Sequence, residues 1–438
     1  MSRRFVVLGL STVRAVWPRE VTGWAMSGAL PLEFTKCISA EEVRARLRSG
    51  RTHSAVLVDA SALGVDRDLF AVIHEFGAAA IVVSSDDQDW GDLGANTQLH
   101  EVFSREDLLE RLEAAATPVG DDGAEEHERT EVEDDTHHIH GRLIAVMGRG
   151  GSGVSTLAAA ITQSLTTSTA GSSCAPAGPA VLLDLARRAD QAMLHDATDV
   201  VPGLQELVEA HRHGRLTTTR VRSMTFRVPA RGYDLLLGRR RPSDWVTLRP
   251  RAFRSALEGL LVSYATLVAD IDSDLEGETE CGSVDVEERN LAARDVTSLA
   301  DAIVIVSDPT LSGVHRMVAM VDEVLRLDVA PERIVLVVNN APRPARSRSD
   351  LASSIAKLAD GGAATKLASP VFVGTRRHLD DVHRNGIRFP SGFAAAVTAA
   401  IESAIGRAPS RETSQPEPEP VVVGSLGLSE SAPSGSES

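Results

Sequence analysis

The sequence predicts an α/β protein: a doubly wound, mostly parallel-sheet domain preceded by a smaller α/β domain. Three observations carry this. Short, continuous apolar runs alternate with helix-like stretches over most of the 438 residues, and runs apolar on both faces read as strands of a covered parallel sheet. A Gly-rich stretch, Met147-Gly148-Arg149-Gly150-Gly151-Ser152-Gly153-Val154-Ser155-Thr156, lies between one such strand and a helix, the order a phosphate-binding loop requires. An acidic segment, 117–140, divides the chain; it holds nine acids, one arginine and almost no large apolar side chains, the composition of a solvated linker.

In the N-terminal part, 1–116, the expected strands are Phe5–Gly9, Ala55–Asp59, Ala80–Ser84 and Leu99–Phe103. Glu41–Arg48 and Arg105–Ala115 have helical spacing. The larger part, 141–406, offers seven strands: Leu143–Val146, Val181–Leu183, Leu235–Leu237, Leu267–Ala269, Ile303–Val306, Ile334–Val338 and Val371–Val373. Leu157 to Ile161 begins a helix after the Gly-rich stretch, and the ligand site of such a fold lies beyond the C-terminal ends of the strands. From 407 to 438 the chain is rich in Pro, Ser and Glu and is expected to be disordered.

Composition narrows the function classes. The net charge is −16, of which the two acidic segments hold −11, so the acidity says little about the folded surfaces and argues against general DNA binding. Three dispersed cysteines, Cys37, Cys174 and Cys281, make neither a disulfide framework nor a zinc pattern and fit a reducing cytoplasm. No apolar run reaches the ~20 residues of a membrane span. His137, His138 and His140 stand in the acidic linker, where a specific metal site is not expected.

Glycines in the loop let successive N–H groups turn toward a phosphate, and the following helix N-terminus adds partial positive charge. Gly150, Gly151, Ser152, Gly153, Ser155 and Thr156 are the candidate cradle. The residue before the Ser-Thr pair, where a phosphate-binding lysine is expected, is Val154. Losing one charge-assisted contact costs about 1.5–3 kcal/mol, which weakens a nucleotide site without abolishing it. The plain alternative is a Gly-rich turn without ligand, with Ser155 as a helix N-cap.

Arg149-Gly150-Gly151-Ser152-Gly153-Val154-Ser155-Thr156 resembles the deviant Walker A loop of the MinD/ParA ATPases. That family has a signature lysine before the two glycines and a second before the Ser/Thr pair; Arg149 takes the first place and Val154 the second. Asp184 after Val181-Leu182-Leu183, Asp270 after Leu267-Val268-Ala269 (the Walker B place), and Asn339-Asn340 after Leu336-Val337-Val338 follow in the family's order. The resemblance implies ATP and Mg²⁺ as cofactors, Ser155 and Asp270 on the Mg²⁺ side, Asp184 and Asp270 as catalytic candidates, an adenine-contacting asparagine, and a homodimer in which Arg149 reaches the partner's phosphates. Ala186 stands where the family often has a second aspartate, so hydrolysis is expected to be weak or absent.

The N-terminal part resembles a response-regulator receiver with Asp59 in the phospho-acceptor place. It lacks the acidic pair after the first strand and the lysine after the last, which makes it a pseudo-receiver used for docking. A degenerate receiver joined to a MinD-like domain is similar to the CpaE/TadZ branch, including its actinobacterial septum-site-determining-like members. That resemblance implies a cytoplasmic localisation scaffold or regulator, recruited to a pole, septum or inner membrane face, with protein partners in a Tad/Flp pilus, secretion or division machine. Two readings stay open beside it: an ATPase switch cycling between monomer and ATP-bound dimer, and a ParA-like DNA-binding segregation protein using the Arg220–Arg254 region.

Overall fold

The computed structural model describes residues 4–85, 89–119, 141–167, 178–197, 201–212, 214–359 and 367–408. The linker histidines, Cys174, most of the acidic segment and the tail from 409 lie outside the described residues.

The small domain is one parallel sheet of β1 (Phe5–Leu10), β2 (Leu32–Cys37), β3 (Ala55–Asp59), β4 (Ala79–Ser84) and β5 (Thr97–His100), in the order β2-β1-β3-β4-β5. Val56 and Val58 face one core and Leu57 the other, which is why β3 and β4 are apolar at nearly every position. Two features differ from expectation. Strand β2 was not expected, because Glu33, Thr35 and Lys36 break its apolar run; it is an edge strand, and an edge tolerates polar side chains. The last strand is Thr97–His100 rather than Leu99–Phe103: Val102 is in a loop and 79% exposed, while Phe103 turns inward against Trp17 and Trp24. Between β4 and β5 stands a single turn, Gly91–Leu93, where a receiver would have a full helix. Val119 still belongs to this unit, bridging to Arg4.

The large domain is an eight-stranded sheet. Its strands are β6 (Arg142–Gly148), β7 (Ala180–Asp184), β8 (Phe226–Val228), β9 (Tyr233–Leu236), β10 (Thr266–Asp270), β11 (Ala302–Ser307), β12 (Ile334–Ala341) and β13 (Val371–Gly374), in the order β13-β12-β11-β6-β10-β7-β9-β8. All neighbours are parallel except β8 with β9. Helices Val154–Thr167 and Ala395–Arg407 cover one face, with Val397, Ile401 and Ala404 making the stripe that the latter buries. Helices Pro250–Ser263, Val284–Leu299 and Leu311–Leu325 cover the other. The expected doubly wound, mostly parallel α/β fold is therefore observed. Among the described residues, no helix is long and apolar enough to cross a membrane.

The two domains meet at the N-terminus of the Arg67–Glu75 helix. Asp66 caps that helix by accepting the Leu69 N–H, and its other oxygen accepts from Arg212 at 2.7 Å. Arg67 donates to the His211 carbonyl at 3.0 Å, and Asp68 accepts the Arg251 N–H at 3.0 Å. Asp68 thus does for the Pro250–Ser263 helix what its own N-cap, Arg249, does not. Asp66 is 2% exposed, so removing its carboxylate leaves the Arg212 guanidinium with less compensation and also uncaps a helix. Asp66→Ala should cost about 2–3 kcal/mol and separate the unfolding of the small domain from that of the large one. A single urea transition at the wild-type midpoint would show that the interface holds nothing together.

Candidate functional site

The loop after β6 closes tightly. Gly151 and Gly153 have φ of 83° and 89°, a region that costs side-chain-bearing residues strain. Ser152 is buried; its hydroxyl donates to the Arg149 carbonyl at 2.7 Å and its N–H to the same oxygen at 3.0 Å. The helix begins at Val154, so Ser155 lies in its first turn and is not its N-cap. The N–H groups of Val154, Ser155 and Thr156 are those a helix leaves without intrahelical partners. The cradle expected from the glycine spacing is thus present as backbone geometry.

The parallel register brings Asp184 and Asp270 side by side at the ends of β7 and β10, both buried. Burial, followed by the neighbouring Asp270, holds Asp184 well above the usual carboxylate range. Burial pushes Asp270 up to about 6, against the hydrogen bonds it accepts from the Ser155 hydroxyl and Gln191. Asp184, Asp270 and Ser155, expected on one site, do converge.

Arg149 is placed differently from a free arm. Its Nη1 lies 3.2 Å from Ser312 Oγ and 3.5 Å from Asp308 Oδ2, so it spans from the loop to the segment after β11 of the same chain. Asn339 donates through Nδ2 to the Ser152 carbonyl at 2.8 Å, and a Cβ on Gly153 would stand 2.6 Å from that nitrogen. In this structure Asn339 ties β12 to the loop. Asn340 follows it, exposed, with φ of 52°.

Gln191, Arg187 and His383 were not read from the sequence as site residues, and Arg239 was read only as part of the arginine-rich 220–254 region. Gln191 donates through Nε2 to Asp270 Oδ2 at 2.8 Å and to the Ser155 carbonyl at 3.0 Å. Arg239 is 5% exposed and donates to the Leu185 carbonyl at 2.9 Å; Asp272, Asp184 and Asp244 are the acids that oppose the effect of its burial. Arg187 binds Asp272 through its backbone N–H at 2.7 Å and reaches Asp274 at 3.5 Å. His383 meets the Thr156 hydroxyl at 3.1 Å, with its other nitrogen on the Leu194 carbonyl. No local sequence pattern marks them as site residues: Arg187 and Gln191 lie in the segment just after β7, and Arg239 and His383 come from elements farther along the chain.

Magnesium requires oxygen donors with room for the ion and its waters. Ser155, Asp184 and Asp270 have the right chemistry, but Asp270 is already engaged by the Ser155 hydroxyl and by the Gln191 amide, which also donates to the Ser155 main-chain carbonyl. Among the described residues, no group of three or more His, Cys, Asp or Glu is placed to hold a metal ion. A divalent ion against Asp270 Oδ2 would have to displace the Gln191 amide from it.

The other candidate centres resolve differently. Asp59 Oδ1 accepts from the Ser61 hydroxyl at 2.6 Å and N–H at 2.9 Å, and Oδ2 lies 3.3 Å from both the Thr12 hydroxyl and N–H. The arginines of 220–254 do not form one basic face. Arg231 is fully buried on the Ile387 and Val382 carbonyls, Arg227 pairs with Asp234, Arg240 with Glu206 and Arg254 with Asp295.

No protein-family model and no curated protein matches the sequence. Solved structures do. A ParA family ATPase from Chlorobium tepidum TLS matches at 17% identity over 60% of this chain and 96% of that one, with a TM-score of 0.42. The cell division ATPase MinD of Pyrococcus furiosus matches at 14% identity over 60% of this chain and 98% of its own, TM-score 0.41. The signal receiver domain of an HD domain-containing protein from Pseudomonas fluorescens Pf-5 matches at 19% identity over 26% of this chain and 88% of its own, TM-score 0.23. The chain is similar, then, to ParA and MinD ATPases over about three-fifths of its length and to receiver domains over about a quarter.

Proposed function

We propose that this chain is a localisation scaffold or regulator of the MinD/ParA kind, whose pocket retains the shape to hold a phosphate and lacks the charges for hydrolysis. The observation that carries the reading is the replacement of charge around an intact loop. Val154 stands where a lysine would meet the phosphates, Arg149 is engaged with Asp308 and Ser312, and Ala186 supplies no carboxylate. Phosphoryl transfer depends almost wholly on positioned charge, so a pocket without it binds weakly and does not turn over. The small domain supports the same reading: Asp59 is engaged by Thr12 and Ser61, and the loop beyond it leads into the contact with the large domain. Placing a pilus, secretion or division machine at a pole, septum or inner membrane face, as a homodimer with protein partners, is the role the sequence resemblance implies, and we adopt it here.

Calorimetry on the full chain tests this. ATP should bind weakly and without hydrolysis. Val154→Lys should raise affinity about tenfold, the worth of a modest charge-assisted contact. ATP turnover by the wild-type chain that is lost in Asp270→Ala would overturn the reading in favour of a true ATPase switch.

A further inference from the structure

Gln191 occupies a position that its neighbours would otherwise offer to an ion. It is fully buried and opens the short helix Gln191–Leu194. Its backbone N–H donates to Asp184 Oδ2 at 2.9 Å, and its side-chain Nε2 donates to Asp270 Oδ2 at 2.8 Å and to the Ser155 carbonyl at 3.0 Å. One residue therefore ties the end of β7, the end of β10 and the first turn of the Val154–Thr167 helix. These three elements carry oxygen donors suited to a hard cation: the two carboxylates and the Ser155 hydroxyl.

Two further atoms are left over in this arrangement. Asp184 Oδ1 and Gln191 Oε1 are both buried without a hydrogen-bond partner. A neutral amide brings two N–H groups to a site where a divalent ion would satisfy up to six oxygens, so a buried carboxylate oxygen is left over. The amide is also held in place from behind. The Gln191 carbonyl lies 2.8 Å from His195 Nδ1, and His195 Nε2 lies 2.7 Å from the Tyr233 hydroxyl on β9. The main-chain N–H and carbonyl of Gln191 are thus both engaged, which fixes where its side chain starts.

We propose that Gln191 sets the ligand specificity of this pocket by filling the divalent-cation position with its own amide, so that the pocket excludes the metal and accepts a phosphate ligand that arrives without one. The inference rests on the reading of the pocket as a phosphate site only for the ligand. The exclusion of the metal stands on the contacts of Gln191 alone.

The test is Mn²⁺ alone, titrated into the full chain by calorimetry and by its paramagnetic signal, with no nucleotide present. Wild type should show no site up to millimolar Mn²⁺. Gln191→Ala should show one site at least tenfold tighter, formed by Asp184, Asp270, Ser155 and water. Gln191→Glu, close in shape and carrying a third carboxylate, should bind Mn²⁺ most tightly and gain thermal stability from it. It also serves as the second variant if the alanine does not fold. A wild-type chain that binds Mn²⁺ as well as either variant would overturn the proposal. So would folded variants that do not bind it. Titrating ATP in the presence of EDTA separates the two readings: failure of ATP to bind counts against the phosphate pocket and leaves the Mn²⁺ result standing.

Discussion

Asp270→Asn is expected to stabilise the protein at neutral pH by about 3 kcal/mol and to leave it unchanged near pH 4. The reason is the cost of a buried charge. Asp270 is 2% exposed and its pKa is pushed up to about 6 from 3.8, chiefly by burial. A carboxyl whose folded pKa lies above its unfolded one contributes no penalty below the unfolded pKa, where both states hold the proton. As pH rises from about 4 to about 6, the unfolded chain ionises first and the folded state loses ground; above that window the penalty is constant. Asparagine removes the charge and keeps a carbonyl oxygen for the Gln191 amide or the Ser155 hydroxyl. Urea unfolding at pH 4 and pH 7.5 measures the difference. Equal stability at pH 7.5 would mean that the carboxylate is not strained, and that its place beside Asp184 is ordinary strand-end solvation. The expected gain would mark Asp270 as a residue that lowers stability where it stands, the usual sign of a site kept for binding.

Gly148→Ala is expected to be strongly destabilising. A Cβ there would lie 2.2 Å from the Val306 carbonyl oxygen and 3.0 Å from the Val154 side chain. Val306 is its partner across the β6–β11 ladder, and backbone cannot yield as a side-chain tip can. The same carbonyl lies 3.4 Å from the Ser152 hydroxyl, so strand pairing and loop closure fail together. A loss of about 3 kcal/mol or more follows from overpacking of this kind, or roughly 6–12 °C in Tm for a domain of this size. Gly150→Ala is the control, because nothing lies within 4 Å of its added Cβ and its φ is not positive. It should stay within about 0.5 kcal/mol of wild type. Thermal unfolding of the two variants side by side decides the matter, and matching Tm values would refute the account of how the loop is anchored.

Apolar runs made the central strands legible. Strands β3, β4, β6, β7, β10 and β11 are covered on both faces and show almost no polar interruption until their ends. Two of the four edge strands were not legible, because β2 mixes Glu33, Thr35 and Lys36 with apolar residues and β8 is only Phe226–Val228; the apolar edge strand β13 was. A strand half exposed to solvent carries no continuous signal. The loop, Asp184 and Asp270 were readable for a related reason: each follows directly on a buried strand, so its place at the C-terminal rim is set by the strand before it. Ser155 was readable as a loop-end hydroxyl; the alternative that it is a helix N-cap fails, since the helix starts one residue earlier.

By itself the sequence determined the doubly wound, mostly parallel fold, the position of the Gly-rich loop, the two carboxylates beside it and the missing lysine at Val154. These are local facts: an apolar run, a glycine spacing, a residue one step past a strand. Only the tertiary structure decided what replaced the missing parts. Gln191 on Asp270 and Ser155, Arg149 on Asp308, Arg239 on Leu185, His383 on Thr156 and Asp68 on the Arg251 N–H all join residues from different elements. Their separations along the chain run from 36 residues to 227. A hydrogen bond or an ion pair leaves no periodic trace in sequence, because it needs one atom at one place and not a face of apolar side chains. The pocket's shape was therefore written locally, and its charge was settled by folding.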